Sequence, residues 1–206
     1  MKQKHFIDAN KAVTSLVVLL MMAVYHQWDN PTAWIYLALH GSYGLLWVIK
    51  SRIFPDKQWE QPAPFWYGLV IYFGLATYWI APFLLTSRSV QAPPWYLGAC
   101  VAMYSVGVFL HFASDMQKHI YLQLRPNRLI SSGLWSLVRN PNYLGELFIY
   151  LSFALLALHW LPLFILAAWI LVVWLPNMLK KDRSLRRYSE FADYKKRTRM
   201  LIPWLF

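Results

Sequence analysis

The sequence predicts an all-α, polytopic membrane protein of about six transmembrane helices, with both termini cytoplasmic. Three observations predict it. Of 206 residues, 58% are hydrophobic and only 14% are charged, where a soluble domain carries roughly 25% charged residues. The apolar residues are gathered into runs close to the length a helix needs to cross the hydrocarbon layer. The segments between the runs alternate between basic and nearly uncharged. Lipid offers the backbone no hydrogen bonds, so such runs satisfy their own N–H and C=O groups as helices.

The runs lie at 12–28, 31–49, 66–86, 95–112, 143–160 and 161–175. Lys2, Lys4, Asp8 and Lys11 precede the first; no small-residue cleavage site follows it, so no cleavable signal peptide is expected. Gln61-Pro62-Ala63-Pro64 punctuates the chain before the third run, and Ala92-Pro93-Pro94 before the fourth. The last two runs read as a tight helical hairpin turning near 159–162, with Pro162 in a first turn where proline is tolerated. Trp28, Trp34, Trp66, Trp95 and Trp160 fall near run ends, as in an interfacial aromatic belt.

Lys2, Lys4 and Lys11 mark the N-terminus; Lys50, Arg52 and Lys57 mark the second loop. Lys118, Arg125, Arg128 and Arg139 mark the fourth, and the tail is densely basic. The first loop has no Lys or Arg, the third has only Arg88, and the fifth has none. The positive-inside rule then places both termini in the cytoplasm. The expected organisation is one integral membrane domain, 1–206, whose segment 114–206 forms a cytoplasm-facing, cofactor-binding half. The net charge of +11 sits in these loops. That argues against a nucleic-acid partner and for membrane lipids or an anionic ligand.

A glycine-rich phosphate loop and a GxGxxG turn are both missing, so a bound nucleotide would need cationic side chains rather than a backbone cradle. His5, His26, His40, His111, His119 and His159 lack ligand spacing, and Cys100 is the single cysteine, so no metal site is expected. Arg125, Arg128 and Arg139 are forked donors suited to phosphate. The tail adds Lys180, Lys181, Arg183, Arg186, Arg187, Lys195, Lys196, Arg197 and Arg199. These cations also suit a plainer role as juxtamembrane anchors on anionic lipid.

Arg139-Asn140-Pro141-Asn142-Tyr143-Leu144-Gly145-Glu146 is more specific. Asn140 is a good helix cap and Pro141 a good first helical residue. Asn142 and Glu146, four apart, share a face just inside the membrane, where an acid is costly unless paired or facing a cavity. Ser114-Asp115-Met116-Gln117-Lys118 directly follows the fourth run and offers a carboxylate for a ribose or amide. In the second run, His40, Ser42 and Tyr43 are polar groups at membrane depth, flanked by Gly41 and Gly44, which let a helix or ligand come close.

The segment Gly133–Glu146 resembles the signature of membrane reductases related to steroid 5-alpha-reductase. Asp115-Met116-Gln117-Lys118 is similar to their Asp-x-Gln-Lys element, and Asp182 through Tyr194, then Arg197-Thr198 and Ile202-Pro203-Trp204, to their tail. The resemblance runs from about residue 114 to the end. It extends to a wider superfamily that includes sterol reductases and isoprenylcysteine or phospholipid methyltransferases. Asn140 stands where that superfamily usually has His.

The resemblance implies NADPH in a cytoplasmic cavity and reduction of a carbon–carbon double bond conjugated to a carbonyl, in a steroid or other lipid within the bilayer. It implies cofactor contacts from Asp115, Arg128, Asn142, Glu146 and Tyr194, and the expected cofactor set adds Gln117, Lys118, Arg125, Arg139, Tyr143, Arg183 and Arg187. Glu146 would hold the nicotinamide amide and the arginines the phosphates. Tyr43, with His40 as partner, is the expected donor to the substrate carbonyl. Together with Glu146 they form the expected catalytic set. Two alternatives stay open: an S-adenosylmethionine-dependent methyltransferase of isoprenylcysteine or phospholipid, and a non-catalytic lipid-binding protein. The number of phosphate-suited arginines favours the dinucleotide, since S-adenosylmethionine has no phosphate to neutralise.

Overall fold

The computed structural model describes residues 1–204. Among them the regular structure is helical, with two isolated β-bridges. The helices are α1 (Gln3–Val24), α2 (Pro31–Ile53), α3 (Phe65–Ala76), α4 (Ile80–Ser87), α5 (Pro94–Leu124), α6 (Pro141–Leu156), α7 (Trp160–Trp169), α8 (Leu175–Leu185) and α9 (Phe191–Arg197). Among the described residues, five stretches are long and apolar enough to cross a membrane: Gln3–Val24, Pro31–Ile53, Phe65–Ser87, Pro94–Leu124 and Trp160–Leu185. The protein is a polytopic membrane protein.

The sixth expected span, 143–160, is α6. Its 16 residues span roughly 24 Å at 1.5 Å per residue, short of a ~30 Å hydrocarbon layer. The hairpin after it turns at 157–159, with Leu158 at a φ of +45°. The span expected at 161–175 runs on to Leu185. Pro176 cannot donate to the carbonyl of Val172, and a π turn at Ile170–Trp174 takes up the irregularity before α8. Similarly Phe65–Ser87 is broken by a 3-10 turn at Thr77–Trp79, with Pro82 unable to donate to the carbonyl of Tyr78.

One helix start and one helix end differ from the expectation. The first helix begins at Gln3 rather than at 12, tied down by Gln3 N–H donating to Gln61 O and Lys4 N–H to Trp59 O. Lys11 is therefore a buried helical residue, 3% exposed, and not one of the solvated N-terminal charges. The fourth helix ends at Leu124 rather than at 112, so Ser114–Lys118 lies on α5 and is not a loop after it. Asn30 behaves as local chemistry dictates: its Oδ1 accepts from Thr32 N–H at 2.9 Å and Pro31 fills the first turn of α2.

The chain divides into two compact units. The first is Met1–Tyr104 with Tyr150–Leu166; the second is Ser105–Ile149 with Ala167 onward. In the first, α1 and α2 meet through their glycines. A Cβ on Gly44 would stand 2.4 Å from the backbone oxygen of Lys11, and one on Gly41 would stand 2.6 Å from Ser15 Oγ. The close approach expected at these glycines is with α1. In the second unit, α5 and α6 meet in the same manner: a Cβ on Gly145 would lie 2.4 Å from His111 N and 2.6 Å from Gly107 O. A small apolar cluster of Leu129, Phe191 and Tyr194, with Leu185 and Tyr188 against it, anchors the tail of the second unit.

Candidate functional site

The second unit gathers the conspicuous polar residues of 114–200 around one buried ion pair. Arg139 lies just before α6 and is 5% exposed. Its Nε sits 3.2 and 3.1 Å from the two carboxylate oxygens of Asp182, and Nη2 sits 3.0 Å from Oδ2. Its Nη1 donates to the carbonyl of Thr198 at 2.5 Å. The guanidinium therefore locks α8 and the tail to the start of α6. A fork matched to a carboxylate is the geometry in which a buried charge recovers its hydration cost.

Lys181, the residue before Asp182 on α8, completes this lock. Its ammonium donates to Arg139 O at 2.6 Å and to Asn140 Oδ1 at 2.9 Å, and lies 4.2 Å from the centre of the Trp135 ring. Asn140, fully buried, sends its amide to Met200 O at 2.9 Å, while its own carbonyl accepts from Leu144 N–H to open α6. Tyr194 donates to Trp135 O at 2.7 Å, and Trp135 Nε1 donates to Ser114 O at 3.2 Å. Burial pushes the Tyr194 phenol above its ordinary range; Arg139 opposes that shift and Asp182 adds to it. Gly133, at a φ of +61°, lies so close to Gln117 that a Cβ there would meet its amide at 2.4 Å. Gln117 in turn accepts from Leu134 N–H at 3.1 Å and donates to Ser132 O at 2.8 Å.

Against this frame α6 presents Asn142 and Glu146 one turn apart. The Asn142 side-chain oxygen is buried and has no hydrogen-bond partner among the described residues. A buried amide oxygen left in that state costs free energy that an incoming N–H donor would recover. The backbone oxygen of Asn142 receives His111 Nδ1 at 3.2 Å, which makes Nδ1 the protonated ring nitrogen. One turn along α5, Asp115 is 3% exposed, with His111 Nε2 at 4.0 Å and Lys118 Nζ at 3.7 Å.

The expected cofactor residues thus fall into three sets. Asp115, Gln117, Arg139, Asn142 and Tyr194 lie in or beside the knot just described, and Tyr143 packs on Trp174 with ring centres 5.6 Å apart. Lys118 borders it through Asp115, and Glu146 follows Asn142 on the same face. Arg125, Arg128, Arg183 and Arg187 are exposed; Arg125 lies over the Tyr121 ring and Arg187 over Tyr188. Asp182, Trp135 and His111 escaped the sequence reading as site residues, and Lys181 entered it only as one of the tail's many cations. Lys181-Asp182, neighbouring opposite charges a few residues after a long apolar run, was the signal available for two of them.

The first unit has its own polar cluster. His40, 2% exposed, shares a hydrogen bond of 2.9 Å between its Nδ1 and the hydroxyl of Tyr36, and stacks on Phe153 with centres 4.3 Å apart. Its hydrogen-bond partner is thus Tyr36, while Tyr43 packs edge-on to Tyr150 and against Phe153. Lys11 reaches this cluster from α1: its ammonium donates to Tyr150 Oη at 2.7 Å and lies 4.5 Å from the centre of the Tyr43 ring. Ser42 and Tyr104 share a hydroxyl–hydroxyl bond of 2.8 Å. Lys11, Tyr36 and Tyr150 were not legible as a group, because they come from three helices far apart in the chain.

The model of a family described as protein of unknown function, DUF1295, matches residues 1–198. A Delta(14)-sterol reductase of Methylotuvimicrobium alcaliphilum is 27% identical over 148 residues, which cover 62% of this chain and 34% of that protein. The chain therefore spans about a third of the length of this curated relative.

Proposed function

The chain belongs to the DUF1295 family, and we propose that it is a membrane-embedded reductase that takes NADPH in its second unit and reduces a conjugated carbon–carbon double bond of a steroid or other lipid. One observation carries the cofactor reading: the buried Asn142 oxygen without a hydrogen-bond partner, one helical turn from the Glu146 carboxylate. An acceptor pair of that kind suits the two N–H donors of a carboxamide, as at the nicotinamide end of a dinucleotide. Similarity to a sterol reductase supports the same reading.

The remaining residues fit a polyanionic ligand. Arg125, Arg128, Arg183 and Arg187 are exposed cations on the segments flanking the knot, and forked guanidinium groups bind phosphate oxygens two at a time. The Arg139–Asp182 pair has a different role: it holds Asn140 and the start of α6 so that Asn142 and Glu146 keep their positions. Bound NADPH would supply the hydride. The protein would bind it, orient it and keep water from the reacting centre.

The test is binding of NADPH and of S-adenosylmethionine to the detergent-purified chain, with Asn142→Leu and Glu146→Ala beside wild type. NADPH is expected to bind, and each substitution to weaken it by roughly tenfold, the worth of one or two buried hydrogen bonds. Binding of S-adenosylmethionine alone would overturn the reductase in favour of a methyltransferase. Unchanged NADPH affinity in both variants would move the nicotinamide end elsewhere.

A further inference from the structure

The tail of the second unit carries more positive charge than the proposed cofactor uses. Lys195, Lys196, Arg197 and Arg199 stand together on α9 and just after it, and all four are exposed. None of them is among the arginines assigned to phosphate. The acids nearby are Glu190 and Asp193. Asp193 takes Lys196 at 3.2 Å, in a pair so open to water that it offsets little of the charge. Like charges crowded into one short stretch repel one another and work against the compact state.

The inner side of the same stretch is what the knot around Arg139 holds. Phe191, Tyr194 and Thr198 are buried, at the spacing of one helical face. Tyr194 donates to Trp135 O at 2.7 Å, and Arg139 Nη1 donates to Thr198 O. Arg139 N–H donates to Arg199 O at 2.8 Å, and the Asn140 amide to Met200 O at 2.9 Å. Backbone acceptors therefore face the start of α6 while the cationic side chains of the same residues face water. Repulsion among those side chains strains the segment that supplies the acceptors, and a negative surface would relieve it.

Position and chemistry choose that surface. Trp160–Leu185 is long and apolar enough to cross the membrane, and 186–190 alone separate it from α9. Five residues reach at most ~20 Å, so the basic face is held near the headgroups. Trp204, a few residues past Arg199, is 91% exposed. An open indole beside Lys and Arg is the combination that settles at a membrane–water interface. Anionic headgroups attract such juxtamembrane cations within about a Debye length. We propose that 194–204 lies on anionic phospholipid and that this contact tightens the knot that sets the start of α6. The lipid acts here as a surface and not as a substrate, so the proposal stands or falls apart from the reductase reading.

The experiment uses the full chain without nucleotide, in nanodiscs of phosphatidylcholine and in nanodiscs of equal parts phosphatidylcholine and phosphatidylglycerol. Hydrogen exchange is read at 135–140 and 194–200. Both segments are expected to slow by roughly tenfold in the anionic discs, the worth of one or two cations held at such a surface, and to lose the slowing at high salt. Segment 57–62 of the first unit should exchange equally in both. Lys195→Gln/Lys196→Gln/Arg199→Gln keeps the carbonyls and the buried face. It should exchange no faster than wild type in phosphatidylcholine and show no slowing in the anionic discs. Brominated phosphatidylglycerol should quench the fluorescence that wild type has and Trp204→Phe lacks. Equal exchange of wild type in the two lipids overturns the proposal, as does slowing that survives in the triple variant or extends equally to 57–62. Slowing at 194–200 alone also overturns it, because the contact would not reach the knot. So does equal slowing by soluble tripolyphosphate over phosphatidylcholine, which would make the tail a site for a free polyanion.

Discussion

In the second unit the buried cation Arg139 rests on a carboxylate, with Asp182 oxygens at 3.0–3.2 Å, whereas in the first unit Lys11, one of two buried lysines there, rests on a phenol at 2.7 Å and over aromatic faces, while the other, Lys50, holds Asp56. Arg139 and Lys11 are about equally hidden, at 5% and 3% exposure. The difference lies in what each contact can exchange. A planar guanidinium locked on a carboxylate and a backbone carbonyl has its directions fixed by three segments of chain, so it serves as a structural bolt. An ammonium on a phenol is a compact donor beside a hydroxyl that can change its own acceptor. The first arrangement is fixed by several directed bonds to distant segments, the second by one hydrogen bond and the faces of aromatic rings.

The largest effect expected from this contrast is on stability. Asp182→Ala strands the Arg139 guanidinium and should cost about 3–5 kcal/mol in denaturant unfolding of the detergent-solubilised protein. The double change Arg139→Met/Asp182→Leu, which leaves no buried charge, should recover most of that loss. Lys11→Met should change stability by about 1 kcal/mol or less in either direction, since an apolar chain of similar length forfeits the aromatic contacts and also the desolvation cost. If Lys11→Met is as damaging as Asp182→Ala, the contrast between bolt and exchangeable donor is wrong.

The glycine contacts sharpen the comparison at smaller scale. Gly44→Ala in the first unit and Gly145→Ala in the second each push a Cβ to 2.4 Å from backbone atoms, Lys11 O and His111 N respectively. Each should cost about 1–3 kcal/mol, and hydrogen exchange should show the loosening within the unit that carries the change. Gly98→Ala, with nothing within 4 Å of the added Cβ, should instead gain about 0.5–1 kcal/mol through helix propensity. Loosening that spreads evenly through both units after either damaging change would deny that they are separate compact bodies.

The smallest effects are with pH, and the two units should respond at opposite ends of the scale. Burial raises the folded-state value of the Tyr194 phenol. Its contribution is therefore complete below the unfolded value of about 10 and falls as pH rises past it. Tyr194→Phe should flatten that alkaline loss in a stability profile. In the first unit, hydrogen bonds from Lys2 and then Lys4 hold the Glu60 carboxyl below its ordinary range. That contribution is present above the unfolded value of about 4.3 and lost as pH falls through the lower folded value. The expected readout is faster proteolysis around 57–62 at acid pH, abolished as a pH effect by Glu60→Gln.

The sequence by itself determined the helical membrane class, because long apolar runs leave the backbone no other way to satisfy its hydrogen bonds in lipid. It also fixed the opening of α6 after Asn140, since Asn and Pro act on the residues next to them, and the close approach at Gly41 and Gly44, since a missing Cβ is a property of the residue itself. The ends of α1 and α5 were not legible. Lys11 and Asp115 look like solvent-seeking charges along the chain, and only partners from other helices make it tolerable to carry them on buried helical faces. The same holds for the functional groups. Asn142 and Glu146 could be placed on one face from their spacing of four, a local rule. Arg139 with Asp182, and Lys11 with Tyr150, are 43 and 139 residues apart. Their roles depend on which cation meets which acceptor after burial, and the energy that decides this arises only when distant helices have removed the water between them.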